Sequence, residues 1–203
     1  MTQRALLTLL GVGAMNSPRY RPAGLLVRYA RRRITFDGGP GAEPDGPLSG
    51  WLVTDEQAEL RSALRWLADR HGCTPVMAPY HAGDLRIEPL PVAHTSHPTC
   101  GYRIEIGGRT AVWAPEFWEF PSWAAGADLM FADAAGWSAP IRFRGGVGGH
   151  ASVRRVSADA ARYGVHRLVF AHIGRPSIRA IDAGEQPPFG EWGTCGRTYT
   201  LRL

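Results

Sequence analysis

Leu52-Val53-Thr54-Asp55-Glu56-Gln57-Ala58-Glu59-Leu60 separates two kinds of pattern in this 203-residue chain. Before it, apolar runs of strand length at Ala5 to Gly11, Gly24 to Tyr29 and Arg33 to Phe36 are punctuated by glycine and proline, the last by Asp37-Gly38-Gly39-Pro40-Gly41. After it, Leu60, Leu64 and Leu67, with Trp66 alongside, recur at helical spacing until His71-Gly72. Thr54-x-x-Gln57 reads as a capping box that opens this helix, and Asp55 and Glu56 suit the positive end of its dipole. In a second reading Asp55 and Glu59, four residues apart, share a helix face and offer two carboxylates to a metal ion.

Further along, strands are expected at Leu85 to Val92, Tyr102 to Ile106 and Thr110 to Trp113, the last two joined by a Gly107-Gly108 hairpin turn. Ser157 to Tyr163 reads as a helix stopped by Gly164, and Leu168 to Ala171 as a short buried strand. Gly38 to Gly50 is a loop, and Gly184 to Gly196 a glycine- and proline-rich tail segment. Strand meanders closed by helices suggest one αββα sandwich domain over the whole chain.

The net charge of +5 comes from arginine alone, because the chain has no lysine. It is weak support for an RNA partner. Cys73, Cys100 and Cys195 are odd in number and form no CxxC pair, which argues against a disulfide framework or a cysteine zinc site and suits a reducing cytoplasm. The opening Met1 to Leu10 is too short an apolar run to span a membrane and reads as the first strand. Gly145-Gly146-Val147-Gly148-Gly149 lacks the lysine of a nucleotide-binding P-loop.

Leu9-Leu10-Gly11-Val12-Gly13, Asn16-Ser17-Pro18, Ala23 to Val27 and Ile34 to Gly41 together resemble the opening of the ribonuclease Z and cyclic-phosphodiesterase branch of the metallo-β-lactamase superfamily. The resemblance extends over about residues 5 to 175 and implies an αββα sandwich of two mixed sheets flanked by helices. It also implies a motif Thr-His-x-His-x-Asp-His whose side chains bind zinc or manganese. Here Thr54 matches, but the four ligand positions read Asp55, Gln57, Glu59 and Leu60. Leu60 cannot ligate, and carboxylates in place of imidazoles move preference toward manganese, magnesium or calcium.

The remaining family motifs are present. Pro91-Val92-Ala93-His94 before Gly101-Tyr102 supplies a ligand histidine, with His97 as substitute; Ala114-Pro115-Glu116 supplies the bridging acid; Arg167 to Ile173 delivers His172. The resemblance makes Asp37 a residue that orients metal-bound imidazoles, and His150 of Gly149-His150-Ala151-Ser152 the donor of a proton to the leaving group. The implied protein is a hydrolase of phosphodiesters or related esters. One divalent ion, zinc or manganese, is held by His94, Glu116, His172, Asp55 and Glu59, with Asp55 and His150 catalytic. Arg142 and Arg144 are candidates to meet phosphate, and Trp118, in the aromatic run Trp113 to Trp123, to stack on a planar substrate. The rival is a metal-free pseudoenzyme whose inherited cleft binds a ligand, a protein partner or RNA. Family members often pair, so a homodimer is also expected. His71, His81 and His166 read as surface or helix-end residues.

Overall fold

The computed structural model describes residues 4–203. In chain order its elements are β1 (Arg4–Gly11), β2 (Gly24–Tyr29), β3 (Arg32–Asp37), β4 (Gly50–Leu52), α1 (Arg61–Asp69), β5 (Pro75–Val76), β6 (Tyr80–Ala82), β7 (Leu85–Pro91), β8 (Cys100–Ile106), β9 (Arg109–Ala114) and β10 (Leu129–Ala134). They continue with β11 (Ile141–Arg142), β12 (Gly149–His150), α2 (Val153–Arg162), β13 (Leu168–Ile173), α3 (Arg175–Asp182), β14 (Glu191–Trp192) and β15 (Thr198–Arg202). One mixed sheet runs β15-β1-β2-β3-β4-β5, a second β14-β13-β10-β9-β8-β7-β6, and β11 pairs β12 as a separate ribbon. Two mixed sheets with three helices make the α/β sandwich of the metallo-β-lactamase fold.

Alternation puts one face of each antiparallel strand inward, as in β1, where Ala5, Leu7 and Leu9 are buried. The parallel strands β10 and β13 are buried at every residue, because helices cover what the sheet does not. The sheets meet through edge-on aromatic pairs, Phe36 on Tyr102 at 5.1 Å and Phe131 on Tyr199 at 5.3 Å. Full burial of each such side chain contributes about 1.5–3 kcal/mol. Gly107 and Gly108, at φ 52° and 79°, turn β8 into β9 as a two-residue hairpin requires.

The expected strands are present, with β1 starting at Arg4 and residues 1–3 lying outside the described residues. The first helix differs. It starts at Arg61, so Thr54 to Leu60 is a turn and Asp55 and Glu59 share no helix face. Thr54 has its amide and hydroxyl committed to Asp37, and the Asp55 carboxylate accepts from the Gln57 amide at 2.7 Å, so neither is free to cap. The second helix begins four residues earlier than expected, behind a Ser152 cap whose hydroxyl accepts from the Arg155 amide. Within the C-terminal segment read as a tail, β14 adds to the second sheet; just beyond it, β15 pairs with β1. No helix among the described residues is long and apolar enough to cross a membrane.

Candidate functional site

A cleft of about 510 Å³ opens where several strands end. Asp37 ends β3, Asp55 follows β4, His94 and His97 follow β7, Glu116 follows β9, His150 closes β12 and His172 lies near the end of β13; all line it. Two of them hold left-handed backbone, Asp37 at φ 47° and His172 at φ 59°, a conformation that costs a non-glycine residue on the order of 1–3 kcal/mol. At His172 the cause is a bulge: Ala132 pairs with Phe170 but Ala134 pairs with Ile173, so β13 carries one residue more than β10. The bulge turns an imidazole out of a fully buried strand toward the cleft.

Glu116 lies among three histidines. Its Oε1 is 3.1 Å from His172 Nε2 and 3.8 Å from His94 Nε2, and His94, Glu116 and His150 offer ligand atoms all within 4.8 Å of one another. His94 Nδ1 donates to the Gly149 carbonyl at 2.9 Å, which leaves Nε2 with its lone pair toward the cleft. His150 Nδ1 donates to Asp133 Oδ2 at 2.8 Å and likewise presents Nε2. The His94 and His150 rings lie 4.7 Å apart, Phe143 packs edge-on to both, and His150 stacks on His172 at 5.2 Å.

Asp133 has no solvent exposure and also accepts from the Phe117 and Ala135 amides. Burial alone would raise its pKa, but the adjacent His150 reverses this and holds it below the usual carboxylate value. Burial would likewise lower His150, yet Asp133, with help from Glu116, carries it up to about 8. His172 is held down by burial against the pull of Glu116. Sequence reasoning missed Asp133, although a lone carboxylate in the apolar run Leu129-Met130-Phe131-Ala132-Asp133-Ala134 was a visible signal.

Other expected residues stand elsewhere or do other things. Asp37 orients no imidazole in this structure: its carboxylate accepts from the Trp113 indole at 2.7 Å and from the Thr54 amide and hydroxyl. Burial pushes that carboxyl up to about 7 in spite of these donors. Asp55 is buried and paired with His97, Nε2 to Oδ2 at 2.9 Å, rather than facing Glu116. Glu59 is an exposed residue at the rim, and Leu60 lines the cleft beside it. Of the five expected ligands, the structure thus brings His94, Glu116 and His172 together, beside His150, and leaves Asp55 and Glu59 outside that group.

Ile141 and Phe143 line the cleft, whereas Arg142 and Arg144, which alternate with them, do not and are exposed. The Arg142 guanidinium sits 5.3 Å over the Trp118 ring and covers a face expected to stack on substrate. Nor does the glycine run cradle phosphate. A Cβ on Gly148 would lie 2.0 Å from the His94 carbonyl and one on Gly149 2.0 Å from that of Ile141, so these glycines allow backbones to touch.

Residues 67–173, just over half of the chain, match the profile of a family described as "Beta-lactamase superfamily domain". The match begins beyond the replaced ligand positions at Asp55 to Leu60. Among solved structures, a diphosphatase from the PhnP family is 17% identical with a TM-score of 0.77, covering 100% of this chain and 99% of that one. Zn(2+)-bound PqqB from Methylobacterium extorquens is 15% identical with a TM-score of 0.69, covering 98% and 100%. Human tRNase Z, short form, is 13% identical with a TM-score of 0.60, covering 98% and 99%. At these identities the likeness is one of fold. Comparison with curated protein sequences finds no match.

Proposed function

The chain belongs to the beta-lactamase superfamily, and we propose that its cleft is that of a hydrolase using one divalent ion on a small phosphoester or related ester. The observation that carries this reading is the convergence of His94, Glu116 and His150 within 4.8 Å. Two imidazoles and one carboxylate suit zinc in both softness and number, with a position left open for substrate or water. His94 and His150 each have the second nitrogen tied, to Gly149 and to Asp133, the arrangement that fixes a ligating imidazole's tautomer and aim. His172, 3.1 Å from Glu116, steadies that carboxylate.

When bound, a divalent ion supplies Lewis-acid activation of a phosphoryl or carbonyl oxygen and of water. The protein's part is to hold the donors, with His150 giving up its second proton where an ion would bind, and to exclude bulk water on the apolar side with Ile141 and Phe143. A cleft of about 510 Å³ suits a small molecule; Arg142 and Arg144, the candidates to meet phosphate, lie outside it, and Arg175 lines it. This favours a small ester over RNA. The diphosphatase neighbour, which covers nearly the full length of both chains, adds support for phosphorus chemistry by analogy of fold.

A metal-free binding protein is the second reading, and one observation favours it: the buried Asp133 and the partly buried Glu116 each already have an imidazole partner, His150 and His172. The two readings separate on turnover of bis(4-nitrophenyl) phosphate after loading with zinc or manganese. The hydrolase should turn it over and Glu116→Ala should lose the activity at least about 100-fold, the scale of losing an electrostatic stabiliser. No turnover by the metal-loaded wild type would sink the hydrolase reading, and unchanged turnover in Glu116→Ala with the same metal occupancy would remove Glu116 from the site.

A further inference from the structure

We propose that Asp55 and His97 form an acid–base pair in this cleft, with His97 the general base that activates the attacking water and Asp55 its positioning residue. This inference rests on the hydrolase reading above, but it concerns residues outside the His94, Glu116 and His150 cluster. Asp55 stands at a position where a ligand imidazole of the lost motif belongs, while His97 comes from the loop between β7 and β8, 42 residues away. Their approach is close and two-pronged, His97 Nε2 lying 3.0 Å from Asp55 Oδ1 and 2.9 Å from Oδ2.

Burial differs across the pair in the sense a catalytic pair requires. The Asp55 side chain is 9% exposed and the His97 side chain 28%, so the carboxylate is the sheltered anchor and the imidazole its cleft-facing end. Asp55 is fixed in turn by the Gln57 amide on Oδ1 at 2.7 Å, and the His97 carbonyl accepts from the Thr95 hydroxyl at 3.0 Å. With Nε2–H donated to Asp55, the neutral ring carries its lone pair on Nδ1, which has no hydrogen-bond partner among the described residues. A base oriented by a buried acid and free at its second nitrogen is the arrangement that general-base catalysis uses.

In the step this implies, His97 Nδ1 takes a proton from water as the water oxygen forms its bond to phosphorus or to the acyl carbon. The ester oxygen bond breaks, and the leaving oxygen carries away the electron pair and takes a proton from solvent. His97 returns its proton to solvent, so the balance is one ester and one water to one acid and one alcohol. No oxidant, reductant or second substrate is needed.

The test is steady-state hydrolysis of bis(4-nitrophenyl) phosphate and 4-nitrophenyl acetate by zinc-loaded wild type, His97→Gln and Asp55→Asn between pH 5 and 9, with zinc measured on each protein. His97→Gln should keep its zinc and its thermal unfolding midpoint while kcat falls about 100-fold or more, the usual range for a lost general base. Asp55→Asn should keep its zinc while kcat falls and KM stays near the wild-type value, a split that a merely structural role would not give; Asp37, Glu59, Glu116, His94, His150, His172 and Arg175, the other titratable groups lining the cleft, are unaltered in it. Because Asp55 is buried, the partly exposed His97→Gln is the deciding variant. Wild-type kcat in His97→Gln would overturn the assignment, as would loss of zinc in it, which would make His97 a ligand. If wild type hydrolyses neither ester, the hydrolase reading itself fails and the base falls with it, an outcome distinct from any confined to the variants.

Discussion

Asp133 and His150 show how much the site depends on single charges. A buried carboxylate with no exposure costs several kcal/mol unless it is paired, and here two amides and one imidazole pair it. His150, raised from 6.5 to about 8 in the folded protein, binds its proton more tightly folded than unfolded. Its stabilisation is therefore full below pH 6.5 and lost as pH rises through 8, while Asp133, held low, keeps its share until pH falls below its unfolded value of 3.8. Metal-free His150→Gln should accordingly be less stable than wild type by about 2 kcal/mol more at pH 6 than at pH 9, by urea unfolding. An equal deficit at both values would mean that the pair is not charged. Neither residue's role was legible from composition: the Gly149-His150-Ala151-Ser152 motif marked His150, but its partner lies 17 residues away in the chain and only the packing of β12 beside β10 brings them together.

At the scale of elements, the residues of the candidate site lie where strands stop. The bulge in β13 aims His172, and the short β11–β12 ribbon brings Gly148 and Gly149 against the loop carrying His94, whose ring donates to the Gly149 carbonyl. Gly149 is at φ 151° and leaves no space for a Cβ. Gly149→Ala should therefore lower stability by more than the roughly 1 kcal/mol of an ordinary exposed glycine substitution and weaken metal binding together with it. A stable variant with unchanged metal affinity would show that the ribbon does not hold His94. Strand periodicity made most of the sheet readable, because alternation and buried runs are local signals. The start of α1 was not: the capping pattern at Thr54 to Gln57 is local as well, but Asp37, from another strand, takes Thr54 away from it. Likewise β15 is seen only through its pairing with β1, across nearly the whole chain.

For the whole molecule, the order of motifs along the sequence predicted the sandwich, and that fold gathers His94, Glu116, His150 and His172 from four separate segments into one cleft. What sequence alone could not give was the consequence of losing the motif at Asp55 to Leu60. The expected answer was a cage that joined Asp55 and Glu59 to His94, Glu116 and His172; the protein instead has Glu59 at the rim, Asp55 bound to His97, and the other three together beside His150. The sheets and their aromatic contacts do not depend on the side chains at Asp55 to Leu60, so the fold stands without the motif, and the proposed site rests on residues outside that stretch. The measurement that bears most directly on this is metal stoichiometry by elemental analysis, on protein purified without chelator or metal-affinity resin and re-equilibrated with zinc, manganese or magnesium. A single site formed by His94, Glu116 and His150 should take up about one zinc per chain, in preference to magnesium, and lose it in Glu116→Ala. No ion retained under any loading condition would contradict it and leave the cleft as a metal-free binding site.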